Sequence, residues 1–266
     1  MKESSENRVN TRRGLIGSAA AVIISLGCFI LGSPSAYATP STEYWTPCVI
    51  DIQPYGVGHI GYDSYTTVGN KGTKKGSLPN DYGLTYGILP FKKLQAEVGV
   101  DVLEPADDPL YFNAKIGSPE NALFDNSPAL ELGIFNVGTK KNVTNYNILD
   151  FITGKTLPFN LGRVHLGYYY GNKKTLVSGS GKKENTGAMF GYDYGFYPVK
   201  DEKGQSYNKW VFAADWATGK NAIGGGGVGM YYYFTPSISL LTGPVWFTDK
   251  TINGRTKWTL QLDINF

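Results

Sequence analysis

Beyond residue 40 the chain alternates apolar and polar side chains with period two, most plainly at its C-terminus. Trp258, Leu260, Leu262, Ile264 and Phe266 are apolar, and Lys257, Thr259, Gln261, Asp263 and Asn265 between them are polar. A segment of this pattern is a strand with one apolar face and one wet face. The pattern recurs in Leu94, Ala96, Val98, Val100 and Val102, interleaved with Gln95, Glu97, Gly99 and Asp101, and again in Trp210, Phe212, Ala214 and Trp216. No helical periodicity of comparable strength follows residue 40, so the chain is predicted to be all-β.

Runs bounded by Gly, Pro, Asn or charge fall near 48–65, 81–89, 93–103, 109–117, 128–137, 145–155, 161–171, 186–195, 208–217, 222–234, 237–247 and 256–266. Most have about the nine to eleven residues that a tilted strand needs to cross a bilayer. Links after the even segments contain proline, as at Pro90, Pro158, Pro198 and Pro236, and three of them are tight turns. Links after the odd segments are mostly rich in Lys and Gly. Short turns on one rim and longer polar loops on the other predict an antiparallel up-and-down transmembrane β-barrel of about 12 strands. The links at 118–127 and 196–207 are long for the short-turn rim.

This arrangement, with a terminal aromatic behind alternating apolar positions from Trp258 to Phe266, resembles the porin-like outer-membrane β-barrel proteins of Gram-negative bacteria. The resemblance spans roughly residues 45–266 and supports a class, not an activity. A secreted sandwich or soluble barrel would also alternate, with its apolar face inward. The aromatics argue for lipid instead: Tyr82, Tyr86, Phe112, Tyr168, Phe190, Trp216 and Trp246 share the apolar face, many near strand ends as in an interfacial girdle. The opposite face carries Asp51, Gln53, Glu97, Asp101, Lys115, Arg163, His165, Asp193 and Asp263, the candidate lumen-lining residues. Tyr55, Tyr169, Tyr231 and Tyr233 fall on the same face and would narrow a lumen.

The N-terminus reads differently. Arg8, Arg12 and Arg13 precede an apolar run from Leu15 to Leu31 and the small-residue stretch Ser35-Ala36-Tyr37-Ala38, the layout of a signal peptide cleaved after Ala38. Residues 1–38 are therefore a predicted leader and 39–266 the barrel, exported to the bacterial outer membrane. Removing the leader takes four of 25 basic and two of 22 acidic side chains, leaving 21 against 20. So balanced a charge offers no footprint for nucleic acid. One cysteine, Cys48, remains, which precludes an intramolecular disulfide, and no spacing suits haem or zinc. No cofactor is expected. The 41% hydrophobic, 14% aromatic and 18% charged composition excludes a disordered chain.

Candidate chemistry is sparse. Gly224 to Gly227, Val228 and Gly229 resemble a phosphate cradle, but the next residues, Met230 to Phe234, continue a strand and supply no helix N-terminus. Glycines there let a strand bend, or leave room inside for water or a plug; Gly83, Gly87, Gly167 and Gly171 read the same way. His59, near Asp63 and Ser64, is the one local cluster resembling a catalytic site. Glu104, Asp107 and Asp108 supply oxygens for calcium, although Pro105 and Pro109 make the link a rigid turn. No metal site and no catalytic residue are assigned.

The long-loop rim is basic, with Lys74, Lys75, Lys140, Lys141, Lys173, Lys174, Lys182 and Lys183 among its charges. Such a surface attracts lipopolysaccharide phosphates, anionic solutes or a protein partner. The leading expectation is a passive, porin-like channel for small hydrophilic solutes, without chemistry of its own. Alternatives are a non-conducting anchor or sheath for a partner protein, and a surface hydrolase that depends on His59 or His165.

Overall fold

The computed structural model describes residues 42, 44–68 and 76–266. The predicted leader, and Lys74 and Lys75 of the basic rim, lie outside the described residues. Twelve strands follow one another: β1 (Gly58–Thr67), β2 (Asn80–Gly87), β3 (Gln95–Glu104), β4 (Leu110–Ser118), β5 (Ala129–Gly138), β6 (Asn145–Thr156), β7 (Arg163–Tyr170), β8 (Thr186–Lys200), β9 (Ser206–Ala217), β10 (Gly225–Thr235), β11 (Ile238–Phe247) and β12 (Lys257–Asn265). Each pairs antiparallel with its neighbours in sequence, and β12 returns to β1 to close the barrel. Closure leaves no sheet edge within the barrel wall, so there each strand's backbone has partners on both sides.

The closing seam runs from His59 opposite Asn265 to Thr67 opposite Lys257. Phe266 completes it: its backbone exchanges hydrogen bonds of 2.9 Å with Gly58 in both directions, and its ring lies where a side chain on residue 58 would stand. The terminal alternation is thus read out directly. Trp258, Leu260 and Phe266 are exposed on the outer wall, whereas Thr259, Gln261 and Asp263 are buried inside. Elsewhere Leu84, Val98, Leu132, Phe151 and Leu166 extend the apolar exterior, and Tyr82, Tyr86, Phe112, Tyr168 and Phe190 stand with them. A belt of this kind is solvated by hydrocarbon and not by water.

The structure corrects the sequence reading in three places. Residues 48–57 do not belong to the first strand, which begins at Gly58. Tyr55 does not face inward: it is 61% exposed at the short-turn rim, bridged to Gly87, while Tyr169, Tyr231 and Tyr233 are buried inside. The link at 196–207 is mostly strand, because β8 and β9 stay paired from Met189 opposite Ala217 to Lys200 opposite Ser206. Pro198, which has no amide hydrogen to give, sits beyond the barrel wall where β8 has only one neighbour.

The residues before β1 enter the lumen instead. Tyr44 to Val57, here called the lumen segment, runs from the short-turn rim up the interior. Gly87 meets the backbone of Pro54, Gly191 meets the carbonyl of Cys48, and Gly227, Gly229 and Gly243 surround the ring of Tyr44. A β-carbon at any of these five positions would collide with the segment, so the glycines are the groove in which it lies. The room for a plug that the Gly224–Gly229 stretch offers in sequence is occupied by Tyr44.

Candidate functional site

Three sets of polar contacts fix the lumen segment. At its upper end one oxygen of Asp215 accepts the amides of Tyr44, Trp45 and Thr46 at 3.1, 2.8 and 2.6 Å. Three converging N–H donors on one carboxylate oxygen form an anion-holding nest. In the middle, Arg163 donates from Nη1 and Nη2 to the two oxygens of Asp51 at 2.8 and 2.7 Å, and from Nε to Asp193 at 2.9 and 3.0 Å. His165 Nε2 lies 2.8 Å from the same Asp193. Lower down, the Gln53 amide donates to Glu97 at 2.6 Å and its side chain to Asn265 at 2.8 Å.

Apolar packing holds the same half of the lumen. Tyr44, Val211, Ala213, Tyr231, Tyr233, Leu241 and Val245 form one buried cluster, and Cys48, Ile50, Ile148, Ile152, Tyr169, Leu176 and Met189 another. Leu176 comes from the long-loop link 171–185, so that loop folds inward as a roof. Asp249 ties it down by accepting the Gly179 amide at 2.9 Å while capping the helical turn Lys250–Asn253 through Thr251. These contacts hold the Asp249 carboxyl below the usual carboxylate range, the Thr251 hydroxyl contributing most.

The other half of the lumen holds a cavity. A cavity of about 420 Å³ lies between Trp45–Pro47 of the lumen segment and the wall built by β12 and β1–β6. Six carboxylates line it, Asp63, Asp81, Glu97, Asp101, Asp150 and Asp263, against one lysine, Lys115, and His59. Their placement follows from register. Asp263, Gly61, Gly83 and Asp101 stand in one row across β12, β1, β2 and β3, with Asp63 and Asp81 paired one step toward the long-loop rim. Glu97, Lys115, Gly133 and Asp150 form a second row across β3–β6. Asn113 bridges inside the wall, donating to Asp101 and accepting the Asn136 amide at 3.0 Å. Trp45, Tyr65, Tyr111 and Tyr146 give the upper part of the cavity an aromatic lining.

Glu97, Asp101, Lys115 and Asp263, singled out in sequence, stand in the cavity wall. Arg163, His165 and Asp193 face inward but spend their polar groups on one another and on Asp51. Asp51 and Gln53 ride on the lumen segment. Asp63, Asp81 and Asp150 were not assigned to the lumen lining from sequence, although the first two fall on the polar face of their strands. The cluster imagined around His59 does not form: His59 turns to Asn265 at 3.1 Å and Asp263 at 3.5 Å, while Ser64, opposite Leu260, belongs to the outer face. At the rim, Lys140 pairs with Asp108 at 2.9 Å, which raises the lysine's pKa and withdraws Asp108 from any calcium site. Among the described residues no three His, Cys, Asp or Glu converge as metal ligands. Lys141, Lys173, Lys174, Lys182 and Lys183 are exposed.

A closed 12-strand barrel with an apolar exterior and a charged interior is porin-like in fold. The KdgM porin is 10% identical, with a TM-score of 0.51 over 78% of this chain and 99% of that one. The same porin in complex with disordered oligogalacturonate gives 10% and 0.48 over the same shares, and the NanC porin 10% and 0.46 over 79% of this chain and 98% of that one. No protein-family model and no curated protein matches the chain. The likeness is one of fold alone.

Proposed function

We propose that this protein is an outer-membrane barrel, exported by the leader at 1–38, that works as a passive channel for small hydrophilic solutes and favours cations. One observation carries the reading: the cavity in the lumen is lined by six carboxylates and one lysine. In a low-dielectric wall such a ring concentrates counter-ions and repels anions. The basic loops lie above this lining and act on approach and on lipopolysaccharide phosphates, not on selection within the lumen.

The test is a single-channel recording of the purified protein in a planar bilayer under a KCl gradient. The expected reversal potential has the sign of cation preference, and it moves toward zero in Asp101→Asn combined with Asp263→Asn. Anion preference would sink the reading. The lumen segment supports one competitor, a closed barrel serving as anchor or sheath, and electrical silence from folded protein would favour that.

A further inference from the structure

The lumen segment crosses the strands instead of following them. Gly227, Asp215, Gly191, His165 and Gly154 are successive register partners across β10 to β6. The segment meets this row in order: the Tyr44 ring at Gly227, the Thr46 amide at Asp215, the Cys48 carbonyl at Gly191 and the Ile50 side chain at Gly154. Ile52 then reaches Gly117 of β4, Gln53 donates to Glu97 of β3, and Pro54 abuts Gly87 of β2, the register partner of Glu97. Residues 44–54 therefore pass round the inside of the wall as a hoop. The layer they occupy is filled: Val49, Ile52 and Gln53 are buried, and so are Glu97, His165 and Asp215 of the wall.

That layer stands between two polar regions. The cavity lining takes Trp45, Thr46 and Pro47 from the segment and nothing from residues 48–57. On the other side, the side chains of Asp51 and Arg163 keep 28% and 16% of their surface exposed, and Arg163 begins β7 at the short-turn rim. Gln53 lies between them. Its amide is on Glu97, which lines the cavity, and its side chain is on Asn265, whose Oδ1 also meets His59 Nδ1 at 3.1 Å. The chain is fastened on either side of it. Upstream stand the Asp215 nest and the fork from Arg163 to Asp51. Downstream the Gly56 amide donates to the Gly87 carbonyl at 3.0 Å, and the Gly87 amide to the Val57 carbonyl at 3.1 Å. Between these fastenings Ile52 and Gln53 rest on the two hydrogen bonds of Gln53 and on the packing of Ile52 against Gly117.

We propose that Ile52 and Gln53 are the gate of the channel, closed in this structure and opened when Gln53 leaves Glu97 and Asn265. Opening joins the carboxylate-lined cavity to the water around Asp51 and Arg163. The inference rests on the channel reading and adds to it a closed state and the part that moves. Two residues bending between fixed points open the path without expelling the segment, so the nest and the glycine groove stay as they are. Local openings of this kind begin where the fewest contacts must break.

The experiment joins single-channel recording in a planar bilayer to amide hydrogen exchange of the same protein in detergent, read residue by residue by NMR. The wild-type channel should be shut for most of a recording. Gln53→Ala, which removes the bond to Asn265, and Gln53→Glu, which sets a carboxylate beside Glu97, should each raise the open probability at least tenfold. In the wild type, the Gln53 amide should exchange at least tenfold faster than the Thr46 amide once intrinsic rates are divided out; this comparison decides if neither variant folds. A wild-type channel open for most of the recording, wild-type open probability in both folded variants, or a Gln53 amide as protected as that of Thr46 would each overturn the gate and leave the channel. Electrical silence from the folded wild type and both folded variants would overturn the channel and the gate together.

Discussion

Replacing Asp215 with alanine releases the upper end of the lumen segment. The side chain accepts three amides, from Tyr44, Trp45 and Thr46, all on one oxygen. Hydrogen bonds to a charged group contribute about 1.5–3 kcal/mol each, so the three together amount to about 4.5–9 kcal/mol. Burial of the carboxylate offsets several kcal/mol of this, and a net loss of about 2–4 kcal/mol remains for holding the segment. Cys48, fully buried two residues below, reports on release. In a chain carrying Cys28→Ser, Cys48 is the sole thiol, and its alkylation by a water-soluble maleimide requires the segment to open. At 1.4 kcal/mol per tenfold, Asp215→Ala should speed that reaction by roughly 30- to 700-fold. A rate within threefold of the parent, from protein whose circular dichroism shows an intact barrel, would refute the nest as the anchor.

Other outcomes follow from the same geometry. Arg163→Lys keeps the charge but loses the fork that joins Asp51 to Asp193, so the urea midpoint should fall by the equivalent of about 1–2 kcal/mol. Gly229→Val places a branched side chain against the Tyr44 ring; over-packing of this kind costs about 1–3 kcal/mol, readable as a lower unfolding temperature. The Asp249 link depends on acid. Its pKa is depressed in the folded state, so its contribution is complete above the ordinary value of 3.8 and disappears as pH falls through the lowered one. Hydrogen exchange at the Gly179 amide should therefore gain an extra acid-side acceleration below about pH 4, absent in Asp249→Ala. Asp101→Asn should shift ion selectivity while Arg163→Lys leaves it unchanged, because only Asp101 lines the cavity.

The barrel was legible because lipid and lumen impose the same two-residue period on every strand, and Trp258 to Phe266 shows it without interruption. The lumen segment was not. Ile50 and Ile52 alternate with Asp51 and Gln53 as a strand would, and no local signal says that Asp51 answers Arg163, a partner 112 residues away. Pro47 and Pro54 bracket the stretch and mark it as a poor ladder member, and the inward glycines of β10 hint at an occupant. Asp150 lines the cavity, whereas Lys155 sits at the rim beside Glu120 at 3.1 Å. The sign of the lumen charge was obscured by the basic rim, since loop lysines dominate any count that ignores which face a residue occupies.

The lumen segment also constrains the order in which the molecule is assembled. Its contacts reach almost the whole length of the chain: Gln261 donates to the Tyr44 carbonyl across 217 residues and Asp215 grips the same residue across 171. The ladder that closes the barrel joins β1, which leads directly out of the segment, to the last strand made. Residues 44–57 must therefore be laid against β9–β11 while the sheet is still an open ribbon, or be drawn through a finished ring. The first route orders the steps: the C-terminal hairpins form, the N-terminal stretch docks in their glycine groove, and only then does the seam between His59 and Asn265 close. Contacts so distant in sequence make slow folding the expectation, with the docking of Tyr44 as the event that commits the ribbon to curl.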